Sequence, residues 1–169
     1  MSILGNEETL VELPAIKYLT EIHGYNFIEG DKLTPDYGER DTLSEVILNK
    51  RMKASLKKLN PWISDENAEK VVRKLIRAES LGTGLLEINE KIYDYIVHLH
   101  LTLDQVIYGK KETKTFKLIE FDADKIDDND FLVTRQFVIK GQQETIRPDI
   151  IIFINGMPVV VLECKSPFK

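Results

Sequence analysis

The spacing of apolar residues divides the chain into a helical first part and a strand-rich second part. Up to about residue 100, apolar side chains recur every three or four positions, which predicts helices. These predicted helices span residues 14–23, 42–59, 64 to about 81, and 89 to about 99. Thr42 and Glu45 form a capping-box pattern at the start of the second, and Ser64 is the predicted cap of the third.

Beyond about residue 101 the apolar pattern becomes that of strands. Strands are predicted over residues 102–108, 113–121 and 131–139, with a polar, acidic loop at 122–130. Helices followed by adjacent strands predict an α/β (α+β) fold, in which N-terminal helices pack on a mixed sheet with an antiparallel meander. We interpret residues 1–169 as a single domain with a mainly helical part (1–100) and a β-rich part (101–169).

The last strands form a predicted hairpin with charged residues at its open end. Two runs rich in β-branched residues flank Asn155-Gly156, a strong hairpin signal. Asp149 precedes the first run, and Glu163 and Lys165 end the second. Ionised groups beside an apolar core are costly unless they are paired or bind a metal, so this end of the hairpin is the candidate site.

The pairing register of the hairpin decides whether these charges can meet. A plain two-residue turn would place Asp149 opposite Leu162 and point Glu163 to the other face of the sheet. A three-residue connection, with Gly156 left-handed as a bulge, would place Asp149 opposite Val161 with Glu163 diagonally close on the same face. We therefore predict an odd-length or bulged turn. A two-residue turn without a bulge elsewhere would exclude the site.

Residue types and spacing at this end suit phosphodiester hydrolysis. Two carboxylates, Asp149 and Glu163, with a backbone carbonyl between, are hard oxygen ligands suited to Mg²⁺. A bound metal polarises a phosphoryl oxygen and acidifies a bound water, and Lys165 could orient that water or offset developing charge. The competing interpretation is an exposed Glu–Lys pair at a strand end.

Charge and composition set bounds on partners and compartment. The net charge is −5, but residues 50–77 alone carry +6, a distribution compatible with a phosphate-tracking surface. The side chains proposed to contact DNA are Lys53, Lys57, Arg73, Lys74 and Arg77. The alternative is a pair of solvated helix faces. One cysteine, no basic and apolar leader and no apolar run long enough for a membrane span predict a cytoplasmic protein without a membrane partner.

Other candidate motifs are weaker. His98 and His100 would point to different sides of a helix, and the glycines at 82 and 84 lack the Lys-Ser/Thr of a phosphate-binding loop. Cys164 lacks a partner pattern for nucleophilic catalysis and fits packing.

Several segments resemble the N-terminal nuclease domain of the restriction (R) subunit of type I restriction–modification enzymes, which belongs to the PD-(D/E)xK superfamily. The resemblance is strongest in Leu118–Phe121, Asn129–Phe137 and Arg147–Pro167, and looser in His23-Gly24-Tyr25 and Leu59-Asn60-Pro61. Asp149, Glu163 and Lys165 fall on the PD-(D/E)xK positions.

This resemblance implies a restriction-endonuclease-like core and an Mg²⁺-dependent endonuclease, with Mn²⁺ as a possible substitute. It also implies double-stranded DNA as substrate, specificity and methylation subunits as partners, and an ATP-driven motor beyond residue 169. A helix with a Gln-x-x-x-Tyr motif would also follow, so this chain is expected to be a fragment, and its own cleavage activity is left open. A third, helical acid could be Glu45, Glu69, Glu79 or Glu90. The alternatives are a stand-alone repair or resolvase nuclease of the same superfamily, and a non-catalytic docking module.

Overall fold

The computed structural model describes residues 8–77, 84–98, 101–107 and 109–165. The chain divides into two compact units, one formed by residues 1–48 and 130–169 and the other by residues 49–129. Helices and a mixed sheet confirm the predicted α/β class. The single-domain interpretation, with its division near residue 100, stays a prediction.

A four-stranded sheet forms the centre of the first unit. The strands of this unit are β1 (Asn26–Phe27), β4 (Phe131–Arg135), β5 (Ile139–Lys140), β6 (Thr145–Ile146), β7 (Ile150–Ile154) and β8 (Met157–Leu162). The order in the sheet is β1-β4-β7-β8, with β1 parallel to β4 and the other neighbours antiparallel. A separate two-stranded ribbon, β5-β6, belongs to the same unit.

Apolar residues stand at consecutive positions of β4 and β7 and therefore point to both faces of the sheet, so each face carries a buried cluster. One cluster joins Phe153 and Ile151 of β7 and Leu132 of β4 to residues from the connecting segments, namely Leu33, Leu48 and Phe137. The other cluster joins Val133, Ile150 and Cys164 to Ile16 of helix α1 (Leu13–Glu21). Helix α1 therefore lies against the face of the sheet that carries Cys164.

Helix α1 matches the predicted helix at 14–23 to within two residues. Pro14 lies in its first turn, as predicted, and a single π-helical segment, Glu8–Glu12, precedes it. Gly24 follows the helix with a positive φ of 71°.

The predicted helix over 42–59 is wrong at its start, because the observed helix α2 spans only Asn49–Leu59. Glu45 does make the bonds of a capping box, accepting the backbone N–H groups of Asp41 (2.9 Å) and Thr42 (3.4 Å). However, the buried guanidinium of Arg40 donates to the carbonyls of Leu43 and Glu45. These carbonyls are the acceptors that a helix starting at Thr42 would require.

The described residues of the second unit form three α-helices, a 3₁₀ helix and an antiparallel strand pair. Beside α2 lie α3 (Asp65–Ile76) and α4 (Leu85–Val97), with the antiparallel strands β2 (Thr102–Ile107) and β3 (Lys110–Thr115). Ser64 caps α3 as predicted, accepting the N–H of Asn67 at 3.2 Å. Helix α4 starts four residues before the predicted Asn89.

Two strand predictions in the second half were too long. The strand predicted over 113–121 ends at Thr115, and the one predicted over 131–139 ends at Arg135. The acidic segment at 122–130 contains a 3₁₀ helix, Ala123–Asp128. Among the described residues, no helix is long and apolar enough to cross a membrane.

Candidate active site

The hairpin β7–β8 has a two-residue turn and a separate bulge. Asn155 and Gly156 have φ values of 53° and 79°, the left-handed pair that a type I′ turn requires. Ile154 pairs with Met157 across this turn, so the predicted three-residue connection is wrong. The register then shifts: Phe153 pairs with Pro158 and Ile152 with Val160, which leaves Val159 as the extra residue.

This bulge restores the parity that the site requires. Beyond it, Ile151 pairs with Val161 and Ile150 with Leu162, so the next positions outward are Asp149 and Glu163. Residues opposite each other in an antiparallel pair share a face and bring their Cβ atoms to within about 5 Å. The bulge lies in the strand and not in the turn, and Asp149 faces the Glu163 position, two residues beyond the predicted Val161.

Alternation along the end of β8 separates packing from chemistry. The Cys164 side chain is buried in the cluster under α1, whereas Glu163 and Lys165 on either side of it are exposed. Neighbouring residues of an extended chain point to opposite faces, so Glu163 and Lys165 share the face away from α1. Cys164 has a packing role, as the sequence predicted.

A hydrogen bond ties Asp149 directly to the segment that carries Glu163 and Lys165. The backbone N–H of Cys164 donates to Oδ2 of Asp149 at 2.7 Å. Asp149 itself is partly buried. The bond fixes this carboxylate across the open end of the hairpin, beyond the last strand pair.

The chain segment that leaves β4 braces the same end of the hairpin. The backbone N–H of Gln136 donates to the carbonyl oxygen of Asp149 at 3.0 Å. Gln136 has a positive φ of 53°, uncommon for a residue with a side chain. Its neighbour Arg135 donates through Nε to both carboxylate oxygens of Glu29 (3.1 and 2.9 Å) and through Nη1 to Glu8. These bonds, with that to Glu29 the largest cause, raise the pKa of Arg135.

One buried acidic side chain near Asp149 was not identified from the sequence. Glu12 is only 6% exposed and accepts a hydrogen bond from the side chain of Gln136. Burial raises its pKa first, and the nearby charge of Asp149 raises it further. The sequence contains a signal for this position. Glu12 lies four residues before Ile16, so extending the apolar face of α1 by one turn toward the N-terminus reaches Glu12.

Comparisons with known proteins find similarity over nearly the whole chain. Residues 5–169 match the family model described as "Type I restriction enzyme R protein N terminus". The chain belongs to this family. The resemblance expected from the sequence is thereby confirmed, and no solved structure shows significant similarity to the chain.

Individual relatives of this R-protein N-terminal domain carry consistent names. The chain is 34% identical over 165 residues to a Methanocaldococcus jannaschii protein named as a candidate type I restriction enzyme MjaIXP endonuclease subunit, covering 96% of this chain and 15% of the relative. It is 25% identical over 149 residues to the type I restriction enzyme HindI endonuclease subunit of Haemophilus influenzae, covering 86% and 14%. The chain thus spans about one seventh of the length of these relatives.

The four helical acids proposed from the sequence occupy other settings in the R-protein domain. Glu45 lies in a turn and not on a helix, which corrects its predicted placement. Glu69 on α3 pairs with Lys53 and Arg73, each at 3.1 Å. Glu90 lies on the exposed side of α4, and Glu79 lies outside the described residues.

The proposed DNA-contacting side chains of the second unit carry local ion pairs. Lys53 and Arg73 share Glu69, while Lys57 contacts Asp65 at 2.7 Å. The ammonium of Lys74 lies 5.2 Å from the ring centre of Tyr95. Arg77 follows the end of α3 and is exposed. Exposed pairs of this kind contribute at most roughly 1 kcal/mol each, so a phosphate could replace the acidic partner. Their role in DNA binding stays a prediction.

The donor atoms at the hairpin end fit a hard divalent cation. Asp149 and Glu163 have carboxylates at adjoining strand ends, and Cys164, between Glu163 and Lys165, has a backbone carbonyl oxygen, which is also a hard ligand. In the described part of the chain, no three His, Cys, Asp or Glu side chains lie close enough together to hold a metal ion. Mg²⁺ typically binds through one or two carboxylates and keeps several waters, so two carboxylates and a carbonyl suit it.

Proposed function

We propose that this chain is the nuclease domain of a type I restriction endonuclease subunit and that it hydrolyses DNA phosphodiester bonds with Mg²⁺. The observation that carries the proposal is the bulged hairpin, which brings the positions of Asp149, Glu163 and Lys165 to one face. Family membership supports the same conclusion, because the relatives are named as endonuclease subunits.

In this proposal, Asp149 and Glu163 hold the metal together with the backbone carbonyl of Cys164. When bound, Mg²⁺ polarises a phosphoryl oxygen and lowers the pKa of a coordinated water. Lys165 lies on the same face as Glu163 and provides a positive charge next to the scissile phosphate. It would orient the attacking water and offset charge that develops on the phosphate oxygens.

The bond from the Cys164 N–H to Asp149 gives the site preorganisation. It holds one carboxylate oxygen at 2.7 Å, so the two strand ends cannot separate without breaking it. A carboxylate held in a fixed position is what a metal ligand needs, because no side-chain freedom is then lost on binding.

In the full subunit, we propose that ATP-driven translocation by a motor domain outside this chain delivers unmodified foreign DNA to the site. Specificity and methylation subunits would then select the target, while this domain would contact phosphates and not read bases. Residues Lys53, Lys57, Arg73, Lys74 and Arg77 form the proposed phosphate-contacting surface. Reversing the charge of Lys53, Lys57 and Arg73 together should weaken DNA binding and flatten its salt dependence.

The test of the nuclease proposal is alanine substitution of Asp149, Glu163 and Lys165, one at a time, in the intact enzyme. Each should lower DNA cleavage by at least about 100-fold, because each removes a metal ligand or a transition-state charge. ATP hydrolysis should be retained, since the motor is elsewhere. Glu144→Ala, at an exposed acid in the turn between β5 and β6, is the matched control and should cleave normally.

Two results would contradict this assignment. Retained cleavage by Glu163→Ala would show that the hairpin end is not the catalytic centre. Absence of any specific response of the wild-type chain to Mg²⁺ or Mn²⁺ would favour the docking-module alternative.

A further inference from the structure

A small apolar cavity opens to solvent beside helix α3 in the second unit. Its volume is about 100 Å³, and its apolar wall consists of side chains from α3 and from one end of the β2–β3 pair, namely Val71, Leu75, Leu101, Leu103 and Phe116. Leu103 is half-buried, and the other four are at most 5% exposed. The cavity therefore reaches into the packed interior of this unit.

Two lysines stand at the mouth of the cavity. Lys70 and Lys74 lie one helical turn apart on α3, and both are exposed. Lys70 pairs with the exposed Glu66 at 2.7 Å, and the ammonium of Lys74 lies 5.2 Å from the ring centre of Tyr95. Among the described residues that line the cavity, none is acidic. The mouth is thus positively charged, whereas the wall is apolar.

The volume of the cavity limits the group that can enter it. A cavity of about 150 Å³ lined by Leu, Ile and Phe holds a benzene molecule, so about 100 Å³ suits a branched aliphatic group of about three or four carbons. Such a group would restore the dispersion contacts that the wall atoms lack while the cavity is unfilled. An aromatic side chain is too large for this space.

The charge at the mouth limits what surrounds that group. Two ammonium groups attract carboxylates or phosphates. DNA supplies phosphates, but the thymine methyl is the aliphatic group that its bases offer in the major groove. A surface that contacts phosphates needs no cavity, so the proposed DNA contact of Lys74 does not account for this one. An acidic protein segment supplies both the carboxylates and the branched aliphatic side chain.

We propose that this cavity is an anchor pocket for an acidic segment of a partner protein. The segment inserts one leucine-sized side chain and places carboxylates on Lys70 and Lys74. A side chain that fills a desolvated pocket carries much of the binding energy of an interface, and charges at the rim set orientation and the rate of association. The pocket is independent of the proposed nuclease function, because it contains none of the residues at the hairpin end.

The test is binding of a synthetic pentapeptide by the 169-residue chain, followed by NMR through the methyl groups of valine and leucine. The peptide has one leucine between two pairs of glutamates, and its ends are acetylated and amidated. It should bind saturably and shift the methyl signals of Val71, Leu75 and Leu103 most. Replacing its leucine by alanine should weaken binding at least about 10-fold, because the cavity then stays unfilled.

Variants of the chain test the cavity and the charge separately. Val71→Phe fills the cavity from α3 and should weaken binding of the leucine peptide at least about 10-fold. Lys70→Glu should weaken it about 10-fold at low salt and much less at high salt, because salt screens exposed charges. Lys110→Glu is the matched control: it makes the same charge change at an exposed lysine at the opposite end of the β2–β3 pair, and should bind like wild type.

Folding of each variant is checked by its unfolding midpoint in circular dichroism. If Val71→Phe fails to fold, Leu103→Phe fills the cavity from the strand side and provides the same test. Absence of saturable binding of the leucine peptide, or unchanged binding by the folded cavity-filling variant, would overturn the pocket assignment and leave the nuclease proposal standing.

Three further results would also overturn this assignment. Equal binding of the leucine and alanine peptides would mean that charge alone holds the peptide. A short DNA duplex that shifts the same methyl signals, and whose binding Val71→Phe weakens as strongly, would assign the pocket to DNA. Self-association of the chain in analytical ultracentrifugation, if Val71→Phe abolishes it, would assign the pocket to a second copy of the chain.

Discussion

Inserting one valine between Val160 and Val161 of β8 should destroy the proposed site without changing any of its residues. The bulge leaves Val159 unpaired and the pairing beyond it is regular, so the number of residues after Val160 sets which face each later residue occupies. With one residue more, Leu162 would lie opposite Asp149. Glu163 and Lys165 would then point toward α1, away from the face that Asp149 occupies.

The energetic cost can be worked out from the residues that change face. Cys164 is 7% exposed and Leu162 packs on the same cluster, so both would lose contacts with Ile16 and Ile150. Full burial of a Leu side chain contributes roughly 1.5–3 kcal/mol, and Leu162 is only partly buried. The two residues together account for about 2 kcal/mol. Turning Glu163 into the cluster adds a desolvation cost of at least about 1 kcal/mol.

The insertion should therefore lower the free energy of unfolding by about 3 kcal/mol, a large part of the roughly 5–15 kcal/mol typical of a domain. Chemical denaturation monitored by circular dichroism measures this loss, and Mn²⁺ titration measures the site. Val159→Ala is the matched control, since it shortens a side chain that is 39% exposed and keeps the bulge. It should retain Mn²⁺ binding and nearly all of the stability.

An insertion variant that unfolds like wild type and still binds Mn²⁺ would refute this reasoning. It would mean that the strand can adjust elsewhere without cost, and that the number of residues after the bulge does not determine the face on which Glu163 lies.

Three further substitutions test neighbouring contacts. Asn155→Ala should lower the free energy of unfolding, measured by chemical denaturation, by about 2–3 kcal/mol, because it strains the left-handed turn and removes the side-chain acceptor of the Asp130 N–H (2.7 Å). Asn155→Gly should lose only the hydrogen bond. Gly30→Ala should cost about 1–3 kcal/mol in the same assay, since its Cβ would meet two carbonyl oxygens at 2.6 Å. Glu12→Gln should raise the thermal midpoint at pH 7, and this gain should vanish as the pH falls below the usual range of a glutamate. The sign follows from the raised pKa of Glu12: the folded state holds its proton more tightly, so stability falls as the pH rises.

The hairpin shows how far sequence patterns lead. The Asn-Gly turn, the two strands and the need for an extra residue were all predictable, because side chains alternate strictly along a strand. The place of that residue was mispredicted, although Pro158 marks it. Proline lacks an N–H group and is confined in sheets to edges and bulges, and here it lies directly before Val159. The extra residue could lie in the turn or in the strand next to Pro158. Because the Asn155-Gly156 turn has only two residues, the extra residue lies in the strand.

The helix predicted from Thr42 failed for a different reason, one that lies far along the chain. Its local capping signal is real, since Glu45 accepts the N–H groups of Asp41 and Thr42. Arg40 also donates to the carbonyl of Val138, almost one hundred residues away, and its guanidinium lies 4.1 Å from the ring centre of Phe137. A buried cation must find such partners, and satisfying Arg40 takes the carbonyls that the first helical turn needs. The partners of Arg40 are distant in the sequence, so no local pattern predicts that these carbonyls are used in this way.

Glu12 was missed because Pro14 is such a good start signal. Proline fits the first turn of an α-helix, so the pattern placed the helix start there and left residues 8–12 unassigned. The structure continues the helix backward as a π-helical segment, which carries Glu12 onto the face that Ile16 buries. A charged residue at a core-facing helical position is costly, and such a position is where a functional acid should be sought. By the same physical criterion, Glu45 at a turn and Glu69 in a surface ion pair were weaker candidates, because their surroundings already account for their charge.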